Sequence, residues 1–146
     1  MSAILEARGV RKTYRGGDNN TVEVLTGVDL SIYRGQVVAV VGASGAGKST
    51  LLHLLGALDA PTAGEITLDG VPYAQLSEES RGELRNRRIG FVFQFHHLLR
   101  EFTALENVMM PLLIAGWPDA KARNRAEELL AGVDLAGRMT HRPSEL

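Results

Sequence analysis

The sequence contains no cysteine, which excludes disulfide bonds, thiolate metal sites and cysteine nucleophiles. It also has no excess charge of one sign, because 16 Lys and Arg residues face 17 Asp and Glu residues. The net charge of −1 therefore gives no overall basic field of the kind that attracts nucleic acid. Apolar runs fall well short of the ~18 residues that a membrane helix needs, and Glu6 and Arg8 stand where a secretory signal requires an apolar run. We therefore expect a soluble, cytoplasmic chain that reaches a membrane only through a partner.

The 146 residues have the composition of one globular domain, with 45% hydrophobic and 23% charged residues. Six segments have the β-branched or alternating pattern of strands: 4–14, 21–25, 28–33, 37–41, 65–70 and 89–94. The turn residues at 16–20 predict a hairpin between the first two. Segments 37–41 and 89–94 are apolar, and the first predicts a central parallel strand because both of its faces are apolar.

Helices are predicted over four segments: 48–58, 77–88, 103–114 and 119–132. Ser77 and Asp119 are predicted caps, and Thr103 with Glu106 has the spacing of a capping box. A bend or a shortening is expected at Pro111. The first predicted helix carries a broad apolar face with Leu51, Leu52, Leu54, Leu55 and Leu58. Strands dominate the first half and helices the second, which predicts an α/β domain with a partly helical extension.

Residues Gly42 to Ser49, "GASGAGKS", match the phosphate-loop pattern G-x-x-x-x-G-K-[ST] at every fixed position. The glycines allow backbone N–H groups to converge on an anion, and the helix that follows adds its own N–H groups and positive dipole end. Lys48 supplies a mobile charge for the outer phosphates, and the Ser49 hydroxyl suits Mg²⁺, which prefers oxygen ligands. A flexible glycine turn is the alternative, but the buried strand predicted before the loop and the helix predicted after it favour nucleotide binding.

Four ordered motifs make the chain resemble the ATP-binding subunits of ABC transporters. They are Tyr14 in "KTY", "GASGAGKSTLL" preceded by 25–35, "PTAGEITLDG" at 61–70, and "IGFVFQ" ending at Gln94. The resemblance implies a P-loop NTPase of the α/β class: an ABC-type nucleotide-binding domain with an antiparallel β-subdomain and a partial helical subdomain. It places the β-subdomain and P-loop core at about 1–95 and the start of the helical subdomain at 96–146. Residues 91–116, with "FQFHHLL", further resemble the ATPases of lipoprotein-releasing systems.

The resemblance also implies roles for individual residues. Tyr14 would stack on adenine, and Ser49 and Gln94 would ligate Mg²⁺. The phosphates of ATP would be wrapped by Gly42, Ala43, Ser44, Gly45, Ala46, Gly47, Lys48, Ser49 and Thr50. The implied partners are the transmembrane subunits and a second copy of the complete ATPase domain, at the cytoplasmic face of the inner membrane.

Hydrolysis needs a group that orients water and holds the metal from a second side. After Gln94 the sequence has no further apolar strand ending in Asp or Glu, and no "LSGG". In the resembled family the second metal-binding carboxylate, the catalytic glutamate and the switch histidine would follow Leu146. We therefore expect an incomplete domain, unstable or aggregating in isolation, that holds ATP without cleaving it.

Two further interpretations remain besides a lipoprotein-releasing ATPase. One is a truncated, non-catalytic nucleotide-binding module, and the other is the ATPase of a related macrolide-export or cell-division system. A P-loop kinase or GTPase fits less well, because the sequence has no N-K-x-D-type element for guanine.

Overall fold

The structure is a computed structural model that describes residues 2–17 and 20–146. It divides into two compact units, residues 1–85 and 86–146. The strands of the first unit are β1 (Leu5–Arg15), β2 (Thr21–Ile32), β3 (Ala63–Leu68) and β4 (Val71–Pro72). The helices are α1 (Lys48–Leu55), α2 (Glu78–Arg88), which crosses the division, and in the second unit α3 (Ala104–Ile114) and α4 (Asp119–Ala131). Short 3₁₀ helices cover Tyr73–Gln75, Ala136–Arg138 and Pro143–Glu145.

The sheet of the first unit has four antiparallel strands in the order β2-β1-β3-β4. The predicted hairpin is confirmed, since β1 pairs with β2 from Leu5 and Ile32 to Arg15 and Thr21. Two residues of its predicted turn, Asp18 and Asn19, lie outside the described residues. The two strands predicted at 21–25 and 28–33 form one strand, β2, because the chain stays extended enough through the intervening residues to keep pairing with β1.

The core of this unit lies between the sheet and α1. Its largest fully buried side chains are Val10 of β1, Leu54 of α1 and Ile66 of β3. Leu52 is exposed, so the apolar face of α1 is narrower than the sequence predicts. The helix also ends at Leu55, before the predicted residue 58, and Leu58 beyond it is exposed. Such burial stabilises by roughly 1.5–3 kcal/mol for each large side chain, and this term holds α1 against the sheet.

Close approach of β1 and β3 requires glycine at position 64. The backbone of Gly64 has φ +86°, and a Cβ there would lie 2.6 Å from the carbonyl oxygen of Arg8. Any larger residue would separate the two strands at this point, because a contact below 3 Å cannot be kept.

Two predicted strands are not strands in the structure. Segments 37–41 and 89–94 have no regular secondary structure, and Val37 and Val92 are fully exposed. The prediction was wrong because an apolar, β-branched segment specifies only a tendency to be buried. A strand also needs neighbours to bond its N–H and C=O groups, and none of the four described strands pairs with either segment.

The second unit is built on the packing of α3 against α4. Its core consists of Ala104, Leu105, Met109, Ala122, Ala126 and Leu130. The capping box is confirmed: Thr103 Oγ1 accepts from Glu106 N at 3.2 Å, and Glu106 Oε2 accepts from Thr103 N at 2.8 Å. The bounds of α3 match the prediction, and Pro111 does not shorten the helix.

Asp119 is not the cap of α4. Pro118 occupies the N-cap position without a side-chain cap, and Asp119 is the first helical residue. Its carboxylate therefore acts through the helix dipole in the first turn. At the start of α2, by contrast, Ser77 Oγ accepts from Ser80 N at 3.2 Å, as predicted.

The segment before α3 is held by Asn107. Its Oδ1 accepts from Leu99 N at 2.9 Å, and its Nδ2 lies 2.9–3.1 Å from the carbonyl oxygens of Leu99, Phe102 and Thr103. One side chain thus bonds four backbone groups of residues 99–103. Two of them, the carbonyl oxygens of Leu99 and Thr103, also accept from the backbone N–H groups of Phe102 and Asn107. Among the described residues, no helix is long and apolar enough to span a bilayer.

Candidate functional site

The P-loop runs directly into α1, and this junction leaves N–H groups available to an anion. The first helical hydrogen bond is from Leu51 N to Gly47 O, 2.8 Å. The N–H groups of Lys48, Ser49 and Thr50 therefore have no helical carbonyl to bond, and no side chain caps this end. Together with the positive end of the helix dipole, they form an arrangement that favours negative charge.

Lys48 lies over the same loop. Its Nζ donates to the carbonyl oxygens of Gly42 (2.9 Å) and Ala43 (2.7 Å). An ammonium group has three donors, so these two bonds anchor it at the loop and still leave one for a phosphate oxygen. The structure thus places the charge predicted for the outer phosphates against the first two residues of the loop, Gly42 and Ala43.

The loop is also packed against the sheet at Gly47. This residue has φ +88°, and a Cβ there would lie 2.9 Å from Leu25 Cδ2 and 3.0 Å from Val24 O. Leu25 is paired directly with Lys12 of β1, and side chains of directly opposed residues lie on one face of a sheet. The P-loop therefore meets the sheet on the face that carries Lys12.

Tyr14 lies on this face too. Residues two apart in a strand share a face, and Lys12 Nζ lies 4.9 Å from the centroid of the Tyr14 ring. Tyr14 pairs with Val22, two residues along β2 from the Val24 that faces Gly47. At the usual spacings within and between strands this places Tyr14 on the order of 8 Å from Val24. The structure thus brings the predicted adenine-stacking residue and the phosphate loop to one side of the sheet.

Two residues that the sequence analysis did not single out bind each other beside Tyr14. Lys12 Nζ lies 2.8 Å from the Asp59 carboxylate, and Tyr14 Oη donates to Asp59 Oδ2 at 3.1 Å. Burial by itself would raise the pKa of Asp59, but the hydrogen bonds from Lys12, Ala60 N and Tyr14 outweigh it and lower the pKa. Asp59 therefore stays ionised. Only the position of Lys12, two residues before Tyr14, could have drawn attention to this pair.

Gln94 lies in the second unit, away from regular secondary structure, and its side chain is exposed. The segment around it is ordered by rings: Phe91 and Phe93 stack at 5.2 Å, and His97 meets Phe93 edge-on at 4.8 Å. The strand-end position predicted for Gln94 is wrong, because residues 89–94 do not form a strand. Its role as a ligand of Mg²⁺ stays a prediction.

The chain is similar to known proteins of one family. The family model described as ABC transporter matches residues 25–146. A lipoprotein-releasing system ATP-binding protein LolD from Xylella fastidiosa is 55% identical over 143 residues, which cover 98% of this chain and 59% of the relative. A protein of the same name from Legionella pneumophila is 54% identical and is covered to 63%. The chain thus spans about three fifths of the length of these relatives.

Solved structures give the same result for the fold. The dimeric, post-hydrolysis structure of the ATP-binding cassette MJ0796 bound to ADP and Pi matches with a TM-score of 0.88 and 36% identity. The match covers 97% of this chain and 62% of that one. The resemblance seen in the sequence motifs is therefore confirmed by a family model, by close relatives and by the fold: the chain belongs to the ABC transporter family and has the fold of its ATP-binding cassette.

Proposed function

We propose that this chain provides the ATP-binding part of an ABC transporter ATPase that powers the release of lipoproteins from the inner membrane. The observation that carries the ATP-binding part is the loop Gly42–Ser49, whose lysine and helix-end N–H groups lie on the same side of the sheet as Tyr14. The transport part is supported by relatives more than 50% identical that bear the name of a lipoprotein-releasing system.

In this proposal the adenine ring stacks on Tyr14 while residues 42–50 hold the phosphates, with Lys48 at the outer ones. Ser49 and Gln94 supply oxygen ligands to Mg²⁺, a donor set that suits this ion because it binds few protein oxygens besides those of phosphate. The ion would neutralise charge on the phosphates. The chain's own groups bind and orient the nucleotide.

The proposed partners are the transmembrane subunits of the transporter and a second copy of the complete ATPase domain. Residues 1–146 form part of one such domain, with the P-loop core at about 1–95 and the beginning of the helical subdomain at 96–146. Its place is the cytoplasmic face of the inner membrane.

A second candidate is a nucleotide-binding module that does not hydrolyse ATP. The observation that favours it is the absence, after Gln94, of an acidic residue closing an apolar strand. Positioned water and a second hold on the metal are needed for phosphoryl transfer. We infer that residues 1–146 alone bind ATP but release no phosphate above background. Phosphate release by the purified fragment, lost on Lys48→Ala, would exclude this.

The binding proposal is tested by ATP affinity in the complete gene product that contains these residues. Lys48→Ala should weaken ATP binding about tenfold or more, because a hydrogen bond to a charged group contributes about 1.5–3 kcal/mol. Lys121→Ala is the matched control, since Lys121 is an exposed lysine of α4 far along the chain from the loop. Equal affinities of the two variants would contradict the assigned site.

The transport proposal is tested in the cell. Depletion of the protein should leave lipoproteins in the inner membrane, as measured by membrane fractionation, and Lys48→Ala should fail to restore their release. Normal lipoprotein sorting with a gain of macrolide sensitivity or a defect in division would instead support one of the two related transport systems.

A further inference from the structure

Lys12 is the one ionised side chain buried in the core of the described residues, at 9% exposure. Its Nζ donates to Asp59 Oδ1 at 2.8 Å and to the carbonyl oxygen of Ala60 at 2.7 Å. Burial of a charge is unfavourable unless the charge is paired and hydrogen-bonded. Both conditions are met here, and the partners come from the loop that follows α1, 47 and 48 residues along the chain.

The same pair fixes the Tyr14 ring at two points. The Lys12 ammonium lies over one face of the ring, 4.9 Å from its centroid, within the range of a cation–π interaction. The Tyr14 hydroxyl donates to Asp59 Oδ2 at 3.1 Å. One contact sets the tilt of the ring and the other sets the direction of its tip, so the two together leave the ring little rotational freedom.

Part of the Tyr14 side chain remains accessible to a ligand. The residue is 41% exposed although its ring contacts Lys12 and its hydroxyl contacts Asp59. Because the ammonium occupies one face, a flat base can stack only on the other. The limited rotation of the Tyr14 ring favours binding, because a ring that is ordered before the ligand binds loses less conformational entropy on binding.

We propose that Lys12 and Asp59 are positioning residues for adenine recognition, which hold the Tyr14 ring so that the base of ATP stacks on the face opposite Lys12. The proposal rests on the function proposed above, in which Tyr14 stacks on adenine. It adds two residues on separate elements, the strand β1 and the loop after α1, that act on the base through Tyr14 without touching it.

The test separates binding of the base from binding of the phosphates. Dissociation constants of ATP and of inorganic tripolyphosphate, both with Mg²⁺, are measured on the complete gene product. The variants are Tyr14→Ala, Lys12→Met, Asp59→Asn and Lys12→Arg. Arg8→Met is the matched control, because Arg8 lies on the same strand and also makes a 2.9 Å ion pair, but its side chain is 70% exposed and its partner is Glu6.

Tyr14→Ala should weaken ATP binding about five- to hundredfold, the range of one base–aromatic stack, and leave tripolyphosphate binding unchanged. Lys12→Met should weaken ATP binding about three- to tenfold, again without an effect on tripolyphosphate. Asp59→Asn should act in the same direction with a smaller loss, since its amide can still bond Tyr14. Lys12→Arg should recover most of the affinity, and Arg8→Met should match the wild type.

The double variant Tyr14→Ala/Lys12→Met should bind ATP no more weakly than Tyr14→Ala, because Lys12 acts only through the ring. Equal weakening of ATP and tripolyphosphate by Lys12→Met and by Asp59→Asn would overturn the proposal and make the pair merely structural. A selective loss in Tyr14→Ala with wild-type affinity in Lys12→Met would overturn it as well, while the proposed function stands. ATP affinity unaffected by both Tyr14→Ala and Lys48→Ala would refute the proposed function itself.

Discussion

Two glycines of the P-loop form a matched pair for testing why the loop needs glycine. Gly45 has φ +79° and Gly47 has φ +88°, so both have a backbone conformation that residues with a Cβ rarely adopt. Their surroundings differ. A Cβ at position 45 would have nothing within 4 Å, whereas at position 47 it would meet Leu25 Cδ2 at 2.9 Å, Val24 O at 3.0 Å and Val24 Cγ1 at 3.1 Å.

The expected losses follow from this difference. The left-handed conformation costs a residue with a Cβ about 1–2 kcal/mol, and both Gly45→Ala and Gly47→Ala carry this term. Inserting a carbon atom into a packed contact costs about a further 1–3 kcal/mol, and only Gly47→Ala carries that term. We expect the free energy of unfolding to fall by about 1–2 kcal/mol in Gly45→Ala and by about 2–5 kcal/mol in Gly47→Ala.

The measurement is urea unfolding of the complete gene product without nucleotide, so that loss of ligand binding does not enter the comparison. The slope of free energy against urea should be the same in both variants. Equal destabilisation of the two would refute the reasoning, since it would mean that the Gly47 contact with β2 contributes nothing. A larger loss in Gly45→Ala would refute it more strongly.

Four further changes test other contacts in the described part of the chain. Tyr73→Phe removes the buried hydrogen bond from the Tyr73 hydroxyl to Leu55 O (2.8 Å) and should lower the free energy of unfolding by about 1–2 kcal/mol in urea; burial also raises the pKa of Tyr73 to about 12, so its absorbance should titrate late. Thr103→Ala removes the capping box and should lower the free energy of unfolding, measured in urea, by about 1 kcal/mol. Hydrogen bonds from Thr103 lower the pKa of Glu106 from its ordinary value of 4.5. The stability that ionised Glu106 adds is therefore present above pH 4.5 and is lost as the pH falls through the lower pKa of the folded state. The free energies of unfolding of the wild type and Glu106→Gln should become equal in acid when they are measured over a series of pH values. Asn107→Ala should speed amide exchange at residues 99–103 at least as much as any exposed substitution on α4.

Local signals in the sequence predicted local structure well. The capping box at Thr103 and Glu106 placed the start of α3, and its apolar pattern extended the helix correctly to Ile114. Both depend on residues a few positions apart, where the chemistry of a turn or a cap decides the outcome. The hairpin of β1 and β2 belongs to the same class, because turn residues join two neighbouring strands.

Structure that depends on partners distant in the sequence was predicted poorly. Segments 37–41 and 89–94 have the composition of buried strands, but composition cannot supply the neighbouring strand that makes the ladder. The candidate site divides in the same way. The P-loop is a contiguous motif and could be predicted directly from the sequence. Lys12 and Asp59 are 47 residues apart and meet only because the loop after α1 is hydrogen-bonded to β1.

Glycine is required at position 47 for two independent reasons. In the P-loop motif, glycine lets the backbone approach a phosphate of the ligand closely. In the fold, glycine is required because β2 has a bulge opposite the loop. Lys12 pairs with Leu25 and Thr13 with Glu23, so Val24 is an extra residue in β2. Val24 packs against Gly47 and leaves no room for a Cβ. A bulge redirects the chain and is common beside binding sites. Here it places Val24 under the P-loop and, through the register it sets, puts Tyr14 opposite Val22 on the side of the loop. Loss of the bulge would therefore shift the Tyr14 ring relative to the P-loop even though no residue of either had changed.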